Sequence, residues 1–334
     1  MTDRKRVLSG IQPTGEVHLG NLIGALRQWV ADQDEYDTFF VIVDLHAITT
    51  PQDPATLREA TLGMAASLLA VGLDPDRCTL FVQSHVHEHA ELAWVLGTLA
   101  GFGELRRMTQ FKDKASRQEE ASVSVGLFTY PVLQAADILI YQADRVPVGE
   151  DQRQHLELTR DIAQRFNSRF GETFVLPQAA IPKVGARIMD LQDPASKMSA
   201  SASSHQGVLR LSDEPDVLRK KIRSAVTDSG REVLARQDKP EISNLLTIMS
   251  VATGKDVPAL EAEYEGKGYG DFKGDLADAA LEFLRPMRER YRELRGDPAE
   301  LARLLEIGAQ KAQAAASKTL QTVYERVGFL PRGG

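Results

Sequence analysis

The sequence predicts an α/β fold: a parallel sheet with inserted helices, followed by a helical C-terminal region. Three observations predict it. Apolar strand-like runs alternate with segments of helical period through the first half of the chain. One of those runs, residues 38–43 (TFFVIV), is apolar at every position, as a strand buried on both faces must be. After Asp213 the pattern is helical almost to the end.

Taken in order, residues 6–10 (RVLSG) read as a short strand ending in glycine. Residues 18–31 then place Leu19, Leu22, Ile23, Leu26, Trp29 and Val30 at helical spacing. Pro54 opens a helix that Gly72 stops, residues 78–83 (CTLFVQ) form a third strand, and a helix follows through 91–99. Strands joined by helices at this spacing imply right-handed crossovers and a Rossmann-type sheet. Ligands of such sheets lie beyond the carboxyl ends of the strands, which gathers residues 10–20, 44–46 and 84–85 around one crevice. Helices are expected at 125–141 and 150–170 with a loop at 144–149 between them, a returning strand at 187–191 (RIMDL), and a mobile Ser/Ala-rich loop at 193–206. The expected division is a catalytic domain over 1–206, with helices inserted at about 100–150, and a helical domain over 207–334 whose last helix packs back on the first.

Composition narrows the class of protein. Of 334 residues, 43% are hydrophobic and 26% charged, as in ordinary globular chains. One cysteine makes neither an internal disulfide nor a multi-thiolate zinc site. No window approaches the roughly 18 apolar residues of a membrane span, and residues 1–10 lack the apolar stretch of a signal peptide. A cytoplasmic enzyme or binding protein is expected. The net charge of −7 argues against nonspecific coating of nucleic acid but leaves room for a local basic face. Two cationic runs stand out: Arg219, Lys220, Lys221 and Arg223, and the series Arg285, Arg288, Arg290, Arg292, Arg295. By charge alone these read as solvated helix surface.

The chain carries no G-x-x-x-x-G-K-[ST] run and no G-x-G that follows a strand and opens a helix. Instead residues 10–21 read G-I-Q-P-T-G-E-V-H-L-G-N: strand, Pro/Gly turn, helix start. Gly10 and Gly20 let a ligand approach the backbone, and the helix start offers N–H groups and partial positive charge to phosphates. His18 and Asn21, about one turn apart, would donate to a developing phosphorane. Far downstream, residues 197–201 (K-M-S-A-S) set a lysine beside two hydroxyls, suited to a leaving pyrophosphate. Read singly, the first element is also a crossover loop with a structural histidine, and the second a solvated serine-rich loop. His85, His87 and His89 (H-V-H-E-H) invite a metal reading, against which stands a polar cluster at the mouth of the crevice.

In this order, these segments and five others identify a family. The chain resembles bacterial tryptophanyl-tRNA synthetases, which are class I aminoacyl-tRNA synthetases, along nearly its whole length. The first element matches their "HIGH" segment and K-M-S-A-S their "KMSKS" segment. Residues 43–49 (VDLHAIT), 103–112 (GELRRMTQFK), 129–139 (TYPVLQAADIL), 146–152 (VPVGEDQ) and 183–191 (KVGARIMDL) match between them, and 224–229 (SAVTDS) follows.

The resemblance implies a two-step reaction: L-tryptophan and ATP give tryptophanyl-AMP and pyrophosphate, and the tryptophanyl group passes to the terminal adenosine of tRNA(Trp). It implies that His18, Asn21, Lys197, Ser199 and Ser201 serve the chemistry. Gln12, Pro13, Thr14, Gly20, Asn21, Gly149, Glu150, Asp151, Ile188 and Lys197, Met198, Ser199, Ala200, Ser201 would surround ATP. Lys114, with Gln110 and Lys112, would reach the phosphates, and Mg²⁺ would sit mainly on phosphate oxygens. A homodimer is implied, with its interface around 100–150.

The amino-acid pocket follows from chemistry as well. Indole has one polar handle, an N–H donor, so a site choosing tryptophan over phenylalanine needs a fixed acceptor. Asp137 matches the residue with that role in the family; by position alone it is also a solvated or helix-pairing carboxylate. By resemblance Tyr130 and Gln152 hold the amino group, His46, Val146 and Val148 line the ring, and Leu8 and Gly10 form the edge. Two residues depart from the family: Ala200 replaces a frequent second lysine, and Gln134 a frequent methionine one turn from Asp137. Gln134 reads as a locally satisfied side chain or as a determinant of tolerance for substituted tryptophans. The rival functions are a regulatory paralogue that binds tryptophan or nucleotide without charging tRNA, and a tyrosine-specific relative or small-substrate adenylyltransferase.

Overall fold

A computed structural model describes residues 4–115, 123–149, 152–180, 187–199 and 205–331, with backbone alone for 113–115. Five parallel strands form one sheet: β1 (Arg6–Ile11), β2 (Asp37–Ile42), β3 (Thr79–Val82), β4 (Arg145–Pro147) and β5 (Gln178–Ala180). Their order is β3-β2-β1-β4-β5, so the winding reverses between β1 and β4. A crevice opens at the carboxyl ends of such a pair, because the two crossovers leave in opposite directions there.

The helices of the first half are α1 (Leu19–Asn21), which runs through a π-helical turn (Leu22–Leu26) into α2 (Arg27–Glu35), then α3 (Asp44–Ala47), α4 (Pro54–Ala70), α5 (Glu88–Gly97), α6 (Phe102–Arg107), α7 (Thr109–Ala115), α8 (Val125–Leu139) and α9 (Arg153–Phe170). The second half holds α10 (Pro215–Arg223), α11 (Pro240–Thr253), α12 (Val257–Glu263), α13 (Tyr269–Gly296) and α14 (Pro298–Val327). Local chemistry starts and stops them. Asp53 accepts from Thr56 N–H ahead of Pro54, and Ser124 accepts from Leu127 N–H, each satisfying a helix-start donor. Gly254 ends α11 in the left-handed region at φ 74°.

Two expectations are corrected. Residues 187–191 do not join the sheet: Met189 makes only an isolated antiparallel bridge to Lys197. Its backbone is satisfied elsewhere, since Asn244 on α11 accepts from Met189 N–H (2.9 Å) and donates to Met189 C=O (3.0 Å), as a neighbouring strand would. The fourth strand lies inside the expected 144–149 loop. It is three residues long with one fully buried side chain, Val146, too short for any period to register.

The alternation of β2 sorts the core. Phe39, Val41 and Val43 enter one apolar layer with Tyr141, α5, α8 and α9, while Phe40 and Ile42 enter the other with α4 and α13. Trp29 stacks on Phe40 at 4.8 Å between ring centres. Helix α14 crosses the β3 edge of the sheet. Its Leu301 and Leu305 join one layer, and its Ala309, Ala312, Ala316 and Leu320 join the other. Gly308 makes the crossing possible, because a Cβ there would lie 1.7 Å from the Leu80 carbonyl oxygen. The edge strand is thereby covered. Among the described residues no helix is long and apolar enough to cross a membrane.

The cationic runs are largely neutralised from within. Lys221 is buried on Asp213 (2.7 Å) and the Val208 carbonyl, Arg292 meets Glu214 (2.6 Å), and Arg295 meets Glu59 (2.6 Å).

Because the overlap at Gly308 is with backbone, Gly308→Ala is expected to lose at least about 2 kcal/mol of stability. Chemical denaturation checks this, and an unchanged midpoint would show that α14 is not clamped on β3.

Candidate active site

A cleft of about 750 Å³ opens at the ends of β1 and β4, lined by Leu8 and Gly10 from one and Val146 and Pro147 from the other. The crevice predicted from 84–85 is displaced accordingly. Ser84 instead donates to Asp44 from both its N–H (2.9 Å) and its hydroxyl (2.5 Å), which closes the β2–β3 end.

One wall is the loop and helix start after β1. Gly10 sits so close to β2 that a Cβ would stand 3.0 Å from Val43 Cγ1. His18 caps the helix reciprocally: Asn21 N–H donates to His18 Nδ1 (3.3 Å), and His18 N–H donates to Asn21 Oδ1 (3.2 Å). Since Nδ1 accepts, the ring proton belongs on Nε2. Burial, then the positive charge of Arg210, lowers the His18 pKa to about 4, so the ring is neutral at pH 7. The segment behind the lysine motif pairs with this loop, Leu19 N–H donating to Leu209 C=O (2.8 Å) and Leu211 N–H to Val17 C=O (2.9 Å).

The lysine motif leaves a short hairpin in which Met198 N–H donates to Ile188 C=O (3.1 Å) and Asp190 N–H to Ser196 C=O (2.9 Å). Met198 is buried against the helix start: a Cβ on Gly20 would meet Met198 Cβ at 3.4 Å. The two motifs, far apart in sequence, are thus in contact, and Lys197 extends exposed along the cleft.

The opposite wall holds a buried carboxylate. Asp137, only 3% exposed on α8, receives Gln83 Nε2 (2.7 Å) and His89 Nδ1 (2.6 Å) on Oδ1, and His46 Nε2 (2.7 Å) on Oδ2. Burial by itself favours the protonated acid. The charge and hydrogen bond of His46, with the hydrogen bond of His89, outweigh it and hold Asp137 well below the usual carboxylate range. An ionised carboxylate only accepts, so each partner donates. Of these four residues Asp137 and His46 line the cleft. Nearby, Tyr130 Oη lies 2.8 Å from His155 Nε2, with its pKa pushed up to about 12 by burial. Gln134 donates to Gln152 Oε1 (3.3 Å), a locally engaged side chain as one reading had it.

Of the residues singled out in the sequence, the cleft gathers Leu8, Gly10, Gln12, Gly20, Asn21, His46, Gln110, Tyr130, Gln134, Asp137, Val146, Val148, Gly149, Gln152 and Lys197. His18, Pro13, Ile188 and Met198 are buried beside it, and Thr14 and Lys112 are exposed outside its lining. Ile188 is buried in the same apolar cluster as Met198. Ser199 is partly buried. The Lys114 side chain, Glu150, Asp151, Ala200 and Ser201 lie outside the described residues. Sequence reasoning missed Gln83 and His89 as partners of Asp137, and Ser9, Gly24, Gln28 and Trp29 in the lining. Gln83 had a usable signal in its place at the carboxyl end of a predicted strand. His89 is fully buried, not at the crevice mouth, and among the described residues no group of three or more His, Cys, Asp or Glu could hold a metal ion.

A parallel sheet with a cleft at its switch point, a glycine-opened helix start and a lysine segment docked on it define a nucleotide-handling α/β enzyme. The sequence profile described as tRNA synthetases class I (W and Y) matches residues 1–285, and the chain belongs to that family. It is 60% identical to tryptophan–tRNA ligase 2 of Streptomyces avermitilis (99% of this chain, 98% of that one) and 58% identical to the tryptophan–tRNA ligase of Mycobacterium leprae (100% and 99%). The fold is similar to that of the Campylobacter jejuni tryptophanyl-tRNA synthetase solved with ADP and tryptophan (TM-score 0.87, 37% identity, 97% of this chain and 100% of that one). The Mycoplasma pneumoniae tryptophanyl-tRNA synthetase gives a TM-score of 0.85 at 38% identity, over 98% of each chain.

The His18 environment makes a pH prediction. Its folded pKa of about 4 lies below the ordinary 6.5, so the unfolded chain takes up this proton first. The resulting stability is present above pH 6.5 and lost as pH falls toward 4. Urea midpoints between those limits are expected to fall more steeply for the wild type than for His18→Asn; parallel slopes would remove His18 from the account.

Proposed function

We propose that this chain activates L-tryptophan with ATP and transfers it to the terminal adenosine of tRNA(Trp). One observation carries the tryptophan assignment: an ionised carboxylate buried in the cleft wall has Oδ1 taken twice and Oδ2 taken by His46 alone, so Oδ2 is left to accept one N–H from the cleft. A phenylalanine ring would leave that acceptor unpaired, a mismatch that discriminates by about 10⁴-fold without editing.

In this reading Val146, Val148, Leu8 and Gly10 enclose the indole, and Tyr130 and Gln152 hold the ammonium group at the outer end. The carboxylate oxygen then faces the α-phosphorus of MgATP. The helix start at Gly20 and Asn21 and the Lys197 ammonium stabilise charge on the phosphates as the bond to pyrophosphate breaks, with His18 Nε2–H as a neutral donor. Gln12, Pro13, Thr14, Gly149, Glu150, Asp151, Ile188, Met198 and Ser199, Ala200, Ser201 are assigned to ATP on resemblance, as is Lys114. Mg²⁺ enters on the phosphate oxygens. In the second step a ribose hydroxyl attacks the acyl carbon and AMP leaves, so no covalent enzyme intermediate is needed.

The same reading takes the protein as a cytoplasmic homodimer. Phe102 (68% exposed) and Val125 (77% exposed) present apolar surface on the inserted helices, and Phe102 packs on Phe128 at 5.0 Å.

Tryptophan-dependent ATP–pyrophosphate exchange, followed by charging of tRNA(Trp), tests the proposal. Tyrosine-driven exchange would point to a tyrosine enzyme, and exchange without charging to a regulatory paralogue. Lys197→Ala is expected to slow exchange by about 10²-fold or more. Asp137→Ala is expected to lower kcat/KM for tryptophan by a similar factor. Phe102→Asp is expected to move the sedimentation mass from dimer toward monomer.

A further inference from the structure

The H-V-H-E-H run is the motif that the reaction leaves unused, and its three histidines part company in the fold. His85 and His87 are exposed, the latter beside Glu88 and Glu91. His89 is 0% exposed and turned inward. Its Nδ1 lies 2.6 Å from Asp137 Oδ1 and its Nε2 lies 2.7 Å from Tyr141 Oη. The Tyr141 ring sits on an apolar floor, 4.6 Å from Phe39 and 5.6 Å from Phe81 between ring centres. Burial, then the negative charges of Asp137 and Glu88, pushes its pKa well up, so its hydroxyl keeps its proton. With the ring neutral and Nδ1–H facing the carboxylate, Nε2 accepts from that hydroxyl. The chain of donors runs one way, from Tyr141 through His89 to Asp137. Gln83 Nε2 donates to the same carboxylate oxygen at 2.7 Å from the end of β3.

We infer that His89, with Gln83 beside it, is a positioning residue for tryptophan selection: the two fill Oδ1 of Asp137 and so present Oδ2 to the indole N–H. The inference rests on the reading of Asp137 given under the proposed function. Its chemical content is specific. Without the donor at His89, Oδ1 keeps Gln83 alone and one buried lone pair goes unpaired, so the carboxylate gains by rotating or by taking a proton. Either change weakens acceptance of the indole N–H while leaving the shape of the ring pocket in place.

The test is kcat/KM in pyrophosphate exchange for tryptophan and for 3-(benzothiophen-3-yl)alanine, in which sulfur replaces the N–H. Wild type is expected to prefer tryptophan; equal use of the two would overturn the reading of Asp137 itself. His89→Leu is expected to cut that preference about tenfold or more, with the analogue's own kcat/KM changing less than about threefold. His89→Asn, whose amide keeps a donor at the Nδ1 position, is expected to stay within about threefold of the wild-type preference. Tyr141→Phe, which frees the tautomer, is expected to fall between. Equal losses for both substrates in His89→Leu would mark a merely structural histidine and overturn the inference. Should His89→Leu fail to fold, an unchanged preference in Tyr141→Phe would overturn it equally.

Discussion

A carboxylate kept ionised inside an apolar wall is the constraint around which the rest of this molecule is arranged. Unpaired, it would cost several kcal/mol or take up a proton, and either outcome would spoil it as an acceptor. Three donors from three separate elements prevent that: Gln83 just after β3, His46 on α3 and His89 on α5. Each arrives by a crossover of the parallel sheet, so the fold is what holds their mutual geometry. The apolar residues around them, among them Val41, Val43 and Ile138, keep water out and make each of those bonds count for more.

The other end of the cleft follows the opposite logic. Lys197 is exposed, and it shares the lining of the cleft with Gly10, Gly149 and the helix start at Gly20 and Asn21. A substrate that brings its own charge needs few buried partners. It needs donors placed where its oxygens will be, and room to enter and leave. Precision there comes from packing beneath the surface: Met198 against Gly20, the bridge between Met189 and Lys197, and the strand-like pairing of residues 17–19 with 209–211.

This division explains what the sequence disclosed. The strands β1 to β3 were legible because short apolar runs set between helical segments have one physical meaning at that length, and the meeting of Asp137 and Lys197 along one cleft because each lies in a motif placed beyond the strand ends. Strands β4 and β5 were not, since three residues carry no period and their pairing is decided by neighbours distant in sequence. Residues 187–191 looked like a strand for a sound reason: three of the five, Ile188, Met189 and Leu191, are apolar. Asn244, more than fifty positions away, supplies the hydrogen bonds that a sheet would have supplied. His89 escaped for a related reason. A histidine in a polar-looking run gives no sign that the chain turns it inward while His87, two residues earlier, faces solvent.

The same contacts bear on how the helical half takes part in the reaction. Its cationic runs are largely paired within the protein, so they are a weak argument for RNA binding. Its stronger contribution is mechanical. Helix α11 holds the hairpin that bears Lys197, and residues 209–211, just before α10, are stitched to the loop that bears His18. Helix α14 seals the sheet edge, and its Ser317 donates to Glu88, next to His89 on α5. A tilt of these helices would therefore be felt at the Lys197 end of the cleft through α11 and at the Asp137 end through α5. The helical region is better regarded as the frame in which the two halves of the cleft are set than as an appendage to a finished active site.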